Sequence, residues 1–446
     1  MTKINQKKPA DKSSIQSEKS RRKTLIALAF GYFVDQGEGQ AMSVLFPTLR
    51  AMWGLSFSNL GLVGTIRNAL QSVSAPFWGY IADRFPRKTV IVFGTGIWGI
   101  WTLLVGFTQN FGQLLVIRAI SGIGLGCLMP ATFSLMADTF PPRKRGRALG
   151  LMEGIGTLGI VVSVVGLGFL ASPTLWRWGF FLLGSFSMLS GLVIWLLVEE
   201  PVRGAAEPEL AGLITAEAAS QYKMQGKDML AVLKIPTIWV AIGQGLAGTM
   251  PWRVMELFVI TWMVEILRVE EGQAAIAFAG IVVGVGISNI IGGFLGDWAE
   301  GISPKYGRTV VGQFSVFSGV PLTWVLFTQT QDWPFGGIVA LCFGTALLIG
   351  WAGKGAKEPM MQGAVPPELR ATAHAMTTFV ESGFAALIAV FAGWLADRIG
   401  LTQAMIWTIP VPWTVCGFIY SLFYWAYPKD SQKLRAMMAE RAQEIR

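Results

Sequence analysis

Apolar runs of about 20 residues recur along this chain, divided by short polar turns, and they leave few folds open. A hydrocarbon layer about 30 Å thick is crossed by about 20 residues of helix. Twelve such runs are counted by length and apolarity. Six lie near 25–47, 58–82, 88–108, 111–137, 147–170 and 179–198. Six more lie near 236–262, 274–297, 309–329, 336–360, 372–395 and 404–427. Composition agrees: residues are 52% hydrophobic and only 14% charged, too few to coat a soluble protein of this size. The expected fold is an all-α membrane protein of twelve transmembrane helices in two pseudo-symmetric six-helix bundles.

The net charge of +9 would suit a nucleic-acid binder, but its placement points to membrane orientation instead. Alternate turns carry Arg84, Arg87 and Lys88; Arg143, Lys144, Arg145 and Arg147; Lys305 and Arg308; and Arg370. The other turns hold little beyond Arg50, Arg177, Arg268 and Arg398, with Glu270, Glu271 and Asp332. That asymmetry puts the basic turns and both termini in the cytoplasm, with a bacterial inner membrane as the expected setting. The expected segments are a tail over 1–24, bundles over 25–198 and 236–427, a cytoplasmic linker over 199–235 and a tail over 428–446. A monomer is expected, with no nucleic-acid partner.

The stretch GYIADRFPRK, Gly79 to Lys88, closes one apolar run and opens the next. A weaker copy, GGFLGDWAEGISPKYGR, spans Gly292 to Arg308. The Pro-Pro turns FPPRKRGRA (Phe140–Ala148) and VPPELRATA (Val365–Ala373) repeat at a similar separation, as two parallel six-helix halves require. The first stretch resembles the loop signature of the major facilitator superfamily, with Pro86 at a position that is usually glycine. The resemblance implies a conformational latch made by Gly79, Asp83, Arg84, Arg87 and Lys88, echoed by Asp297 and Arg308. LLVIRAISGIGLG, Leu114 to Gly126, resembles the superfamily's fourth-helix signature. Together with NFGQLLVIRAISGIG (Asn110–Gly124), WRWGFF (Trp176–Phe181) and EEPVRG (Glu199–Gly204), the first half resembles the spinster group of lysolipid and amphiphile transporters. Members of that group usually carry an acid after the Gly-Ile-Gly; this chain reads Leu125, Gly126, Cys127.

Ionised residues inside spans are costly in lipid and mark a cavity or a pathway. Asp35 and Glu38, three residues apart, share one face of the first helix. At ~1.5 Å per residue they lie roughly 15 and 20 Å deep, and Arg67 of the second span lies about 20 Å deep. Glu38 and Arg67 are therefore expected to meet, with Asp35 and Glu38 as proton carriers. Arg67, Arg118 and Arg253 supply positive charge for cargo, with Glu38 beside them. Glu256 is placed to neutralise Arg253, and Pro251 to loosen the seventh helix. Lys354 and Glu381 lie at similar depth, about 12–14 Å; Lys354 either snorkels to the inner surface or pairs with Glu381, and Glu381 is a candidate proton carrier. Lys357 and Glu358 read as topological charges, and His374 as a surface histidine.

No GxxxxGK[ST] loop points to ATP, no HExxH or Cys/His cluster to a metal, and no GxSxG to a hydrolase. Cys127, Cys342 and Cys416 fall in apolar runs and read as packing residues. Neither a cofactor nor enzymatic activity is expected. The expectation is proton-coupled transport of a small organic anion, amphipathic or lysolipid-like ones included. Its rivals are a proton-driven multidrug exporter and a non-transporting membrane sensor.

Overall fold

The computed structural model describes residues 17–140, 142–201, 232–366 and 370–445. Nearly all of them are helical, and there is no strand among them. Six helices are each long and apolar enough to cross a membrane: Arg87–Val105, Ala148–Leu170, Trp176–Leu197, Glu271–Ile302, Gly307–Gln329 and Met376–Ile399. They form the third, fifth, sixth, eighth, ninth and eleventh spans. A bent pair, Leu401–Tyr420 with Phe423–Met437, supplies the twelfth.

The other five spans are broken or charged. The first is Glu18–Gly39 and Ala41–Trp53, interrupted at Gln40 after a glycine-rich turn. The fourth is Phe111–Leu125 and Leu128–Thr139, split at Gly126 and Cys127. The tenth is Phe335–Ile349 and Glu358–Ala364, joined by a wide π-turn over Ala352–Lys357. The second, Phe57–Arg84, and the seventh, Pro236–Glu265, run unbroken but carry buried or half-buried arginines. A break or a charge costs free energy in lipid and is tolerated where the helix faces protein or a wet cavity. These five spans also carry nearly every ionised group buried at mid-depth.

Helix ends depart from the sequence expectation. The first helix begins at Glu18, where the Ser17 hydroxyl caps it, and the last continues to Ile445. Segments 1–24 and 428–446, expected to be tails, are therefore helical in part. Most of the expected linker, 202–231, lies outside the described residues.

Spans 1–6 pack as one half and spans 7–12 as the other, meeting along three seams: first with seventh, second with eleventh, and fifth with eighth. The turns near 85–86 and 303–306 mark the basic end of the bundle. At the opposite end the second and eleventh spans touch backbone to backbone. A Cβ on Gly61 would lie 2.3 Å from the Ala389 carbonyl oxygen, and one on Gly393 would lie 2.6 Å from that of Phe57. Only glycine permits this approach. The Thr65 hydroxyl extends the seam by donating to the Ala386 carbonyl at 2.8 Å. Toward the basic end the same seam parts: Phe379 is 81% exposed and Gly383 has open space beside it.

Candidate functional site

Where the halves part, a cavity of about 280 Å³ is lined mainly by polar side chains. Asp35 and Gln40 enter from the first span, Arg67, Asn68 and Gln71 from the second, Arg118 from the fourth, and Arg253 and Glu256 from the seventh. An adjoining lobe of about 290 Å³ shares Gln40, Ile160 and Glu256 and is otherwise largely apolar, with Trp252, Phe278 and Ile281. The two lobes together present charge at one side and hydrocarbon at the other.

Arg118 is held by Glu38: its Nη1 donates to Oε1 at 3.0 Å, and both side chains are 2% exposed. This corrects the expected Glu38–Arg67 meeting. The depths were matched, but helix azimuth aims Glu38 at the fourth span, and Glu38 is not among the residues that line the cavity. Arg253 donates to Glu256 at 2.9 Å and to the Gly64 carbonyl at 3.3 Å. Gln40 Nε2 donates to the same Glu256 at 2.9 Å, tying the two halves together.

Arg67 is treated differently. It is buried, forms no ion pair among the described residues, and donates only a long 3.3 Å hydrogen bond to Asn68. Among the described residues its Nε and that of Arg118 have no acceptor, and Asp35 Oδ1 and Gln40 Oε1 have no donor. Unsatisfied buried polar atoms are rare in native proteins, so four on the residues lining one cavity mark the place where a ligand or water completes the bonding. Sequence reasoning missed Gln40, Asn68 and Gln71. A signal existed: Gln71 is four residues after Arg67 and shares its helix face.

Glu381 lies away from this cavity. It pairs with Lys357, which the π-turn over Ala352–Lys357 turns toward the eleventh span. The Lys354 side chain is outside the described ones. Lys357 is thus an ion-pair partner and not only a topological charge.

At the basic end the side chains of Gly79, Asp83 and Arg84 are outside the described ones. Arg87 pairs with Asp138 of the fourth span, while Glu200 accepts the Arg87 and Lys88 backbone N–H groups at 3.0 and 2.8 Å. In the copy, Arg308 bridges Asp297 at 2.5 Å and Glu300 at 2.7 Å and donates to the Gly355 carbonyl. Each of these contacts stays within its own half.

The opposite end carries ties that cross between halves. Arg50 reaches both Glu265 carboxylate oxygens at 2.6 Å. Asp397 of the eleventh span caps the second: it accepts the N–H groups of Phe57 at 2.7 Å and Ser58 at 2.9 Å, and the Ser58 hydroxyl. A carboxylate at a helix N-terminus is favoured by unpaired N–H groups and by the helix dipole. Because Asp397 is exposed, this is worth about 1 kcal/mol, as an ordinary cap is. Asp397→Ala, which removes the accepting oxygens, is expected to shift the two-state balance roughly fivefold toward opening at this end. Cysteine probes placed along the seam near Gly61 would be labelled faster by an impermeant reagent; unchanged labelling would remove Asp397 from the closure.

The cavity is therefore shut at one end by interlocked halves and open toward the basic end. A family model described as Major Facilitator Superfamily matches residues 28–383. The chain belongs to that superfamily. It is accordingly a multi-pass membrane transporter and not an enzyme. The chain is 25% identical over 395 residues to a probable 4-methylmuconolactone transporter of Cupriavidus pinatubonensis, covering 86% of each chain. Protein spinster homolog 1 of Xenopus laevis is 29% identical over 196 residues, 43% of this chain and 35% of that one. In fold, the chain resembles a bacterial homologue of the human lysosomal transporter spinster, solved inward-facing and unoccupied. The TM-score is 0.80 at 20% identity, with 93% of this chain and 99% of that one covered.

Proposed function

We propose that this member of the superfamily carries a small organic anion with an apolar body, by alternating access and coupled to protons. The observation that carries the reading is Arg67, a buried guanidinium facing the cavity with no carboxylate in direct contact among the described residues. A planar fork of donors suits a carboxylate or a phosphate. The neighbouring apolar lobe would take the rest of the molecule.

Charge bookkeeping supports proton coupling. Three cations (Arg67, Arg118, Arg253) face three acids (Asp35, Glu38, Glu256) in and behind the cavity. Glu38 and Glu256 are committed to Arg118 and Arg253, which leaves Asp35 beside Arg67. With Asp35 ionised, the site is neutral. With Asp35 protonated, it carries one net positive charge, and an anion restores balance. Proton and anion then bind together, and each strengthens the other's binding. The basic turns are assigned to the cytoplasm by the charge asymmetry of the sequence, so the state described is inward-open. A relative named as a 4-methylmuconolactone transporter supports a small organic cargo.

Counterflow in liposomes containing purified protein tests the reading. Aromatic and aliphatic carboxylates are expected to exchange, and lipophilic cations are not. Exchange of cations with no exchange of anions would replace this reading with drug export.

A further inference from the structure

A second cavity, of about 300 Å³, lies at the basic end, far along the chain from the transport site. Its walls are the end of the eighth span (Ile302), the turn Ser303–Tyr306, and the last helix at Pro428, Ser431, Gln432 and Arg435. Lys305 and Arg435 are exposed and form no ion pair among the described residues. Neighbouring charges are already committed: Arg308 to Asp297 and Glu300, and Asp430 to the Thr237 backbone and hydroxyl. Glu300 shares the wall of an adjoining cavity with Arg435 but is held by Arg308, so among the described residues neither cation is in an ion pair.

The surroundings identify the ligand. Phe294, Trp298 and Ile302, each four residues apart, form one apolar stripe on the eighth span, between 65 and 73% exposed. That stripe ends in the cavity wall at Ile302. The last helix bends by 45° after Tyr420, and there Lys429 stacks over the exposed Trp425 ring at 4.5 Å. A tryptophan and lysine so placed mark the boundary between hydrocarbon and headgroups. The cavity thus opens where an acyl chain lying on the stripe would deliver its headgroup.

We propose that this cavity binds the phosphate of an anionic phospholipid, with Lys305 and Arg435 as its charge partners, Ser303 and Tyr306 as neutral donors, and the stripe at Phe294, Trp298 and Ile302 receiving one acyl chain. Basic pockets between helices at the cytoplasmic face recognise such headgroups. The bound lipid would clamp the last helix to the turn between the eighth and ninth spans.

Native mass spectrometry of purified protein titrated with phosphatidylglycerol or phosphatidylcholine tests this. Phosphatidylglycerol is expected to bind selectively. Lys305→Gln and Arg435→Gln should each weaken it roughly fivefold, and the double variant roughly 30-fold. Lys305→Arg, which keeps the charge, should bind as the native protein does. Equal phosphatidylglycerol binding by the double variant and the native protein would overturn the proposal. So would full displacement of the lipid by millimolar inorganic phosphate, which would make this a free-phosphate site. The readout does not involve transport, so the proposal stands or falls apart from the anion reading.

Discussion

Arg67→Gln is expected to abolish concentrative uptake and to leave the protein folded. Glutamine keeps hydrogen-bonding capacity and much of the volume but removes the charge. Removing one partner of a buried, hydrogen-bonded charge pair costs about 2–5 kcal/mol of binding, or roughly 30-fold or more in affinity. The fold should survive because Arg67 holds no carboxylate in a direct ion pair among the described residues and Asp35 can take up a proton: its direct bond is the long contact to Asn68. Arg118→Gln is the contrasting variant. It leaves Glu38 as an uncompensated carboxylate in a fully enclosed site, and should lower thermal stability as well as transport. Substrate-dependent thermal shift and counterflow on the three proteins separate the two effects. An Arg67→Gln protein that retained native affinity for the transported anion would remove Arg67 from the binding site.

The contrast between the two arginines was only half legible in the sequence. Depth along a helix follows from counting residues, and counting placed Glu38, Arg67 and Arg118 within the membrane. Azimuth does not follow so simply, because it depends on which neighbour each face meets. The pairing of Glu38 with Arg118 was missed for that reason, and Lys357 was missed because a π-turn changed the local period. The twelve-span architecture was readable because a bilayer forces long apolar stretches and short charged turns. The cross-half cap by Asp397 was not readable, since the eleventh span and the start of the second are more than three hundred residues apart and neither shows a partner by itself. Broken spans are only partly legible in the sequence, where Pro251 is read as loosening a helix. The first helix does break at Gln40, whereas the seventh runs through its proline without interruption.

Asp35→Asn is expected to separate proton movement from anion exchange. Asparagine fixes the side chain in a neutral form, equivalent in charge to the protonated acid. In the native protein, anion affinity should rise as pH falls, because protonation removes the negative charge that competes with cargo for Arg67. For unit charges about 6 Å apart at an effective dielectric of about 20, that competition is worth ~3 kcal/mol. The variant should therefore bind anion with little pH dependence, at the affinity the native protein reaches in acid. It should exchange anions across the membrane yet fail to concentrate them against a gradient. Glu38→Gln, the change that matched depth alone would have favoured as an uncoupler, should behave otherwise. It strands Arg118 in a closed site, at a cost of about 3–5 kcal/mol in stability, while Asp35 remains free to titrate. Proton flux measured beside anion flux, each across a range of pH, distinguishes the two carboxylates. If Asp35→Asn kept its proton flux and its acid-dependent affinity, the proton would have to travel on another group, and Glu256 would be the next acid on the cavity wall to examine.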